Sequence, residues 1–261
     1  MELQDQIGQQ LHFNSVPKRI VSLVPSQTEL LFDLGLEDAI VGITKFCVHP
    51  NHLLKTKTIV GGTKQIHLEK IKALQPDIIL CNKEENTKDI VEACGTICKV
   101  HVSNIENISD CITMIKQYGE IFNKKEVASR ISEEIQNNLK DFQIYIQNKT
   151  TIKAAYFIWK DPFMVAGKDT FINCLLQVNK FENVYADLGR YPEIHLKRDK
   201  DIDLVLLSSE PYPFKEKHIQ ELKTYYTNAK IQLVDGEMFS WYGSRLIKSF
   251  TYFKLLHQNL E

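Results

Sequence analysis

The sequence predicts an α/β protein of two Rossmann-like lobes with parallel sheets, joined by a long α-helix, and three observations carry that prediction. The phrase Ile-His-Leu plus two polar or charged residues occurs at 66–70 and again at 194–198, an offset of 128 positions, and each copy leads into an apolar run: PDIILC over 76–81 and DIDLVLLS over 201–208. These runs are short, unalternating and rich in branched side chains, as parallel strands covered on both faces require. Residues 107–148 contain no proline and carry the stripe Val127, Ile131, Ile135, Leu139, Phe142, Ile146 in steps of three and four, the pattern of one long amphipathic helical segment. Strands alternate with helices on both sides of it. The organisation expected is therefore a lobe over 1–106, linking helices over 107–148 and a second lobe over 149–261. Two facing lobes imply a cleft, where ligands tend to sit.

Each element has its own signal. RIVSLV over 19–24 reads as the first strand, and Ser26 with Glu29 has capping-box spacing for a helix through Leu30, Leu31 and Leu34 that ends at Gly35. AIVGI over 39–43 is a second strand, followed by a loop with Lys45, Phe46, Cys47, His49 and His52. The first Ile-His-Leu helix carries Leu68, Ile71 and Leu74, and Asn86 with Asp89 marks the start of another helix ending near Cys94. VHVS over 100–103 closes the first lobe, and Asn123-Lys124-Lys125 marks a break in the linking segment. KAAYFIW over 153–159 opens the second lobe, with Asp161-Pro162 as its turn and Asp169 as a helix cap. A second Ile-His-Leu helix, the loop SSEPYPF, the strand IQLVD and the aromatic loop from Gly236 to Arg245 complete it. His67 and His195, at matching positions, suit helix capping better than chemistry.

Composition excludes several classes. The formal net charge of −1, with Lys and Arg dispersed, provides no basic stripe for a nucleic-acid backbone. No run of about 18 apolar residues exists, and the polar amino-terminal MELQDQIGQQLHFNSVPK lacks the basic start and apolar stretch of an export signal, so the chain as written is expected to stay in the cytoplasm. The six cysteines read as free thiols, and Cys94, Cys98 and His101 as small buried groups at a helix end and a strand start, not as a metal clip. Neither G-x-x-x-x-G-K-[S/T] nor G-x-G-x-x-G is present around Gly61-Gly62-Thr63-Lys64, which removes a nucleotide-phosphate loop.

Taken in order, RIVSLVPSQTELLFDLGLEDAIVGITKF, GGTKQIHLEKIKALQPDIIL, the central helix, DPFMVAGKDTFINCLL and GEMFSWYGSRL resemble the substrate-binding proteins of cobalamin and iron-siderophore ABC transporters, the helical-backbone metal receptors with class III periplasmic-binding-protein architecture. The likeness covers nearly the whole chain from Arg19 onward, and SLVPS with TKFCVHP is most similar to the cobalamin-binding branch. The resemblance implies a non-catalytic monomer with no intrinsic cofactor, holding a metal-bearing macrocycle or chelate, a corrinoid before a haem or ferric siderophore. It implies the cell envelope as the alternative location. It also implies docking to a permease through an exposed glutamate on each lobe. Glu69 matches the first, but Lys197 occupies the second position and would repel an arginine there.

A broad, apolar plate calls for aromatic walls with a few polar groups. By order along the chain these are Phe46, His49, Thr63, Lys64, Trp159, Phe163, Tyr191, Tyr212, Phe239, Trp241 and Tyr242, with Arg245 available to a peripheral carboxylate or phosphate. Phe163, Tyr212 and Phe239 suit packing under their own loops as readily as ligand contact, and Trp241 and Tyr242, being adjacent, would not both face a ligand in an extended segment. His49 is the candidate metal ligand, with His52 or Cys47 nearby, against the plainer role of a solvated loop histidine. Two other classes remain: a chelatase-like tetrapyrrole enzyme drawing on His49, His67, Glu210 and Glu237, and an interaction module that binds no small molecule. No paired carboxylates or nucleophile elbow favours the enzyme.

Overall fold

The computed structural model describes residues 1–196 and 201–260 of the chain. Its elements run β1 (Glu2–Gln4), β2 (Gln10–His12), β3 (Ile20–Ser22), α1 (Pro25–Asp33), β4 (Ile40–Ile43), α2 (Leu53–Thr56), β5 (Thr58–Ile59), α3 (Leu68–Ala73), β6 (Ile78–Asn82), α4 (Lys88–Gly95), β7 (Lys99–Ser103), α5 (Ile108–Ile121) and α6 (Lys125–Ile146). They continue with β8 (Ile152–Trp159), β9 (Met164–Val165), α7 (Phe171–Val178), β10 (Phe181–Asn183), β11 (Leu204–Ser208), α8 (Glu216–Lys223), β12 (Lys230–Val234), α9 (Gly236–Ser240) and α10 (Leu246–Leu260). The expected α/β class with two parallel sheets is what the chain adopts.

Contacts divide the chain into two compact units: Met1–Ile105 with Ser109–Asn137 and Tyr242–Ile247, and Glu106–Ile108 with Asn138–Trp241 and the chain from Lys248 onward. The helical segment is thus shared between the units, and a short stretch near the carboxyl terminus belongs with the amino-terminal unit. The first unit's sheet has the order β5-β4-β3-β6-β7, with every pair parallel. Every side chain of β6 is buried, which its unbroken IILCN run demands. Val21, Leu23, Ile71, Ile79, Cys81, Ile90 and Val100 pack into one of this unit's cores. In the second unit β10-β8-β11-β12 is parallel and β9 runs antiparallel to β8. There Phe157, Val205, Leu207, Leu222 and Tyr226 share a core.

Helix ends depart from the expected caps. Pro25 takes the first position of α1, where its missing N–H costs nothing, and Val24 is the N-cap, so Ser26 lies inside the helix and makes no capping box with Glu29. Thr87 caps α4 by accepting from the Ile90 N–H, and Thr170 caps α7 by accepting from the Asn173 N–H, one residue away from Asn86 and Asp169. His67 stands at the N-cap of α3 without a side-chain cap bond. His195 and Ile194 lie outside any helix, as His67 and Ile66 do in the first copy, but Leu196 is not helical whereas Leu68 opens α3. The break between α5 and α6 falls at Asn123, which adopts φ 54°. Beside it Gly119 lets the two helices close up, since a Cβ there would meet the Ala128 Cβ at 2.6 Å. All six cysteines are free thiols. Among the described residues no helix is long and apolar enough to cross a membrane.

The β1–β2 hairpin is new relative to the sequence expectation, and its turn guards a sheet edge. Buried Asp5 accepts from the Ile7 and Gln9 N–H groups through Oδ1 at 3.1 and 2.8 Å and from the Val102 N–H of edge strand β7 through Oδ2 at 3.1 Å, while Gln6 Oε1 takes the Asn104 N–H at 3.2 Å. Edge N–H groups left bare invite strand addition. Asp5→Ala leaves three donors unmatched, and we expect about 1–3 kcal/mol lost in denaturant unfolding, with amide exchange accelerated in 1–12 and at Val102.

Candidate ligand-binding site

In the first unit, loops after β4, β5 and β6 assemble at the carboxyl ends of the strands. Thr44 is buried, and its Oγ1 accepts from the Phe46 N–H at 3.3 Å. The Cys47 thiol is anchored between the hydroxyls of Thr28 and Thr44 at 3.1 and 3.3 Å. This turn throws Phe46 outward: it is 49% exposed, with Lys45 Nζ 5.0 Å from its ring centroid. A Cβ at Gly62 would approach the Phe46 ring to 3.1 Å, so the ring lies over bare backbone. Gly61 has φ +128° and a Cβ there would fall 2.4 Å from the Gln65 carbonyl. The close passage is sealed by Gly62 N–H to Gln65 O at 2.7 Å and Lys45 N–H to Gly61 O at 2.8 Å. Thr63 is half-buried, and its carbonyl accepts from Asn86 Nδ2 at 2.9 Å; Lys64 Nζ reaches the Glu84 carbonyl. Phe46, Thr63 and Lys64 are therefore held on one connected set of loops.

His49 is half-buried in the same region. The partners expected to join it on a metal are engaged elsewhere: Cys47 with the two threonines, its thiol pushed up by burial, and His52 Nε2 with Glu37 Oε1 at 2.7 Å. Among the described residues no group of three His, Cys, Asp or Glu side chains is placed to hold a metal ion.

Tyr242 and Arg245 also belong to the first unit, where both are structural. Arg245 Nε donates to Glu29 Oε2 at 2.8 Å, with side-chain exposures of 5% and 6%. The guanidinium expected to meet a ligand anion is instead committed to a buried carboxylate of α1. Tyr242 OH accepts from Gln27 Nε2 at 3.2 Å; Gln27 also donates to Ser103 Oγ at 2.7 Å and accepts from Tyr118 OH at 2.8 Å. Burial pushes the phenols of Tyr242 and Tyr118 upward and keeps both hydroxyls protonated.

In the second unit Trp159 ends β8 at 39% exposure, edge-on to Tyr212 at 5.8 Å. Tyr212 packs edgewise on Phe214 at 4.8 Å and contacts His218 Nε2 through its hydroxyl at 3.3 Å. His218 Nδ1 accepts the Lys215 N–H at 2.8 Å, so in the neutral ring the proton sits on Nε2 and is donated to Tyr212. Phe163 is half-buried, edge-on to Phe157 at 5.9 Å with Lys160 Nζ 5.7 Å from its centroid. Tyr191 is half-buried on a loop zipped to the chain after β9: Gly167 N–H to Arg190 O at 2.6 Å, Lys168 N–H to Leu188 O at 2.8 Å and Val165 N–H to Pro192 O at 3.2 Å. Gly167 is required there, since a Cβ would sit 2.3 Å from the Leu188 carbonyl. Phe239 is fully buried against Phe253 at 4.8 Å and Tyr156 at 5.1 Å, the core role open to it from the start. Trp241 is buried as well, its Nε1 donating to Glu210 Oε1 at 2.9 Å.

A cavity of about 550 Å³ opens in this unit where β11 and β12 end, lined by Ser209, Glu210, Phe214, Leu233, Val234, Asp235 and Glu237. Aromatic counting on the sequence passed over it, because its distinguishing side chains are carboxylates. The available signal was an acidic residue within three positions after each of the strands β11 and β12. Of the acid–base set considered for an enzyme, Glu210 and Glu237 line this cavity, whereas His49 and His67 belong to the first unit.

The sequence profile of the periplasmic binding protein family matches residues 20–222. The chain belongs to that family. Among relatives, this family member is 29% identical over 195 residues to the ABC transporter substrate-binding lipoprotein YvrC of Bacillus subtilis, a match covering 71% of this chain and 61% of that one. It is 27% identical over 196 residues to the vitamin B12-binding protein of Vibrio parahaemolyticus, covering 71% of this chain and 68% of that one. The crystal structure of a periplasmic heme-binding protein from Pseudomonas aeruginosa superposes with a TM-score of 0.80 at 19% identity, over 92% of each chain. The α/β periplasmic-binding fold expected from the sequence is thus found. The cytoplasmic placement read from the amino-terminal residues finds no support among these relatives.

Proposed function

We propose that this chain is a non-catalytic binding protein for a metal-bearing macrocycle or chelate, with a corrinoid as the favoured cargo and haem or a ferric siderophore as the alternatives. One observation carries the reading. Phe46 and Trp159 are the aromatic rings among the exposed large hydrophobic residues described; Phe46 stands in the loop just beyond β4, and Trp159 is the last residue of β8. Exposed aromatic faces framed by buried neighbours are what a flat apolar guest needs. The B12-binding and substrate-binding relatives support the class of ligand, and nothing in the cargo's role requires a resident cofactor.

Docking to an ABC permease, and with it a place in the cell envelope, is the physiological setting this reading favours. Glu69, the expected docking residue, is 85% exposed on α3 and pairs with Lys72 at 2.8 Å, a surface contact that a partner's arginine can displace at little cost. Lys197, at the corresponding place in the second copy, lies outside the described residues. A monomer suffices for this role.

Titration with cyanocobalamin, haemin and a ferric catecholate tests the proposal, with thermal unfolding as readout. Saturation at 100 times the dissociation constant stabilises the fold by about 2.7 kcal/mol. Phe46→Ala and Trp159→Ala each weaken binding roughly tenfold or more while lowering the melting temperature of the ligand-free protein only modestly, because 49% of Phe46 and 39% of Trp159 is exposed and open to a ligand. Binding of none of the three ligands, or full binding by both variants, would count against it.

A further inference from the structure

Resting on the binding role proposed above, we infer that Glu210 is a specificity-determining acceptor that selects cargo presenting peripheral carboxamides over cargo presenting carboxylates at the same place. The residue is held as a positioned group. Its Oε1 accepts from Ser240 Oγ at 2.8 Å and from Trp241 Nε1 at 2.9 Å, and its N–H donates to Ser208 Oγ at 3.3 Å. Gly236 makes room for it, since a Cβ there would lie 2.6 Å from Glu210 Cγ and 2.4 Å from Ser208 Oγ. Both side-chain donors converge on one oxygen. Among the described residues no hydrogen-bond donor is placed on Oε2, and no lysine or arginine forms an ion pair with Glu210.

Glu210 lines the 550 Å³ cavity that shares the loop of Tyr212 and Phe214, so an open, preoriented acceptor stands beside the aromatic face of this unit. The neighbouring side chains Asp235 and Glu237 are carboxyl groups too and add no N–H or ammonium donor to the lining. A carboxylate brought there meets like charge in a half-buried setting and has no proton to donate. A primary amide supplies the N–H that Oε2 lacks and brings no charge. Corrinoids carry amides around the ring edge, whereas haem carries carboxylates, so the same device separates the two leading cargo classes by chemistry instead of by shape.

The test uses matched pairs that differ only in this group: cyanocobalamin against its monocarboxylic acids, in which one peripheral amide is hydrolysed, and haemin against the diamide of its propionates. Affinities are measured by tryptophan quenching for the wild-type protein, Glu210→Gln and Glu210→Ala. Glu210→Gln keeps an oxygen for Ser240 and Trp241 and turns the open atom into a donor. In the wild type, at least one pair should favour the amide by roughly tenfold or more. In Glu210→Gln that ratio should fall to near unity or invert with a melting temperature close to wild type, and Glu210→Ala should lose the preference too, with a lowered melting temperature because it removes the acceptor that Ser240 and Trp241 use. A wild-type ratio near unity, a preference for the acid forms, or an unchanged ratio in Glu210→Gln overturns the inference while leaving the binding role standing. Failure of all four ligand types to bind overturns the inference, and if the ferric catecholate also fails to bind, the binding role falls with it.

Discussion

Arg245→Met is expected to destabilise the protein by about 3–5 kcal/mol, because it strands the Glu29 carboxylate at 6% side-chain exposure without its cation. Keeping a carboxylate buried after its cation is removed is costly. Glu29→Met alone strands the guanidinium and costs a similar amount. The double variant Glu29→Met/Arg245→Met removes both charges and refills the volume, so it should regain most of the loss. Urea denaturation of the four proteins measures the cycle. Additive losses, with the double variant worse than either single, would mean that the two side chains do not act as a pair. The site lies in the segment Tyr242–Ile247, which the second unit's chain contributes to the first unit, so the single variants should also expose the neighbouring Tyr242–Gln27–Tyr118 hydrogen bonds to exchange.

Gly61→Ala has the second largest effect. At φ +128° a side chain is strained by about 1–3 kcal/mol, and the added Cβ would sit 2.4 Å from a backbone oxygen that cannot swing away as a side chain could. Relief requires opening the Gly61–Ile66 bridge and the Gly62 N–H to Gln65 O bond, which together shape the floor beneath Phe46 and the position of Thr63. The expected outcome is a loss of stability in that range with cargo binding weakened at least tenfold, more than the stability loss alone explains. Gly95→Ala, where nothing lies within 4 Å of the new Cβ, serves as the control and should be neutral or slightly stabilising in its helix. Wild-type binding by Gly61→Ala would show that this loop does not hold the ligand.

What was legible in the sequence follows from the range of the interactions concerned. IILCN, LVLLS and the stripe from Val127 to Ile146 announce themselves because burial on two faces or on one helical stripe leaves a local pattern. Caps were legible only to within a residue, since Thr87 and Thr170 stand beside other good cap formers and the backbone entering each helix decides between them. The β1–β2 hairpin was not legible: two strands of three residues carry too little alternation, and their support comes from Asp5 bonding 97 positions away.

The site divides in the same way. Phe46 and Trp159 could be picked out because aromatic residues at strand ends are locally conspicuous, and the structure leaves both exposed. Arg245 and Tyr242 looked equally available, yet their partners Glu29 and Gln27 are 216 and 215 residues distant, and no local pattern encodes such pairings. Trp241 was misjudged for a related reason: its indole N–H belongs to Glu210, 31 residues earlier, which turns a candidate wall into the support of a carboxylate.

The most direct test of the central claim is the visible absorption spectrum of the protein isolated from its own host without added ligand, followed by release of the chromophore. Bands of a corrinoid at up to one equivalent per chain, with the released compound chemically intact, are the predicted result; haem or ferric-siderophore bands would keep the binding role and change the cargo. A colourless protein that also takes up none of these ligands on titration, or one that returns its ligand chemically altered, would contradict it.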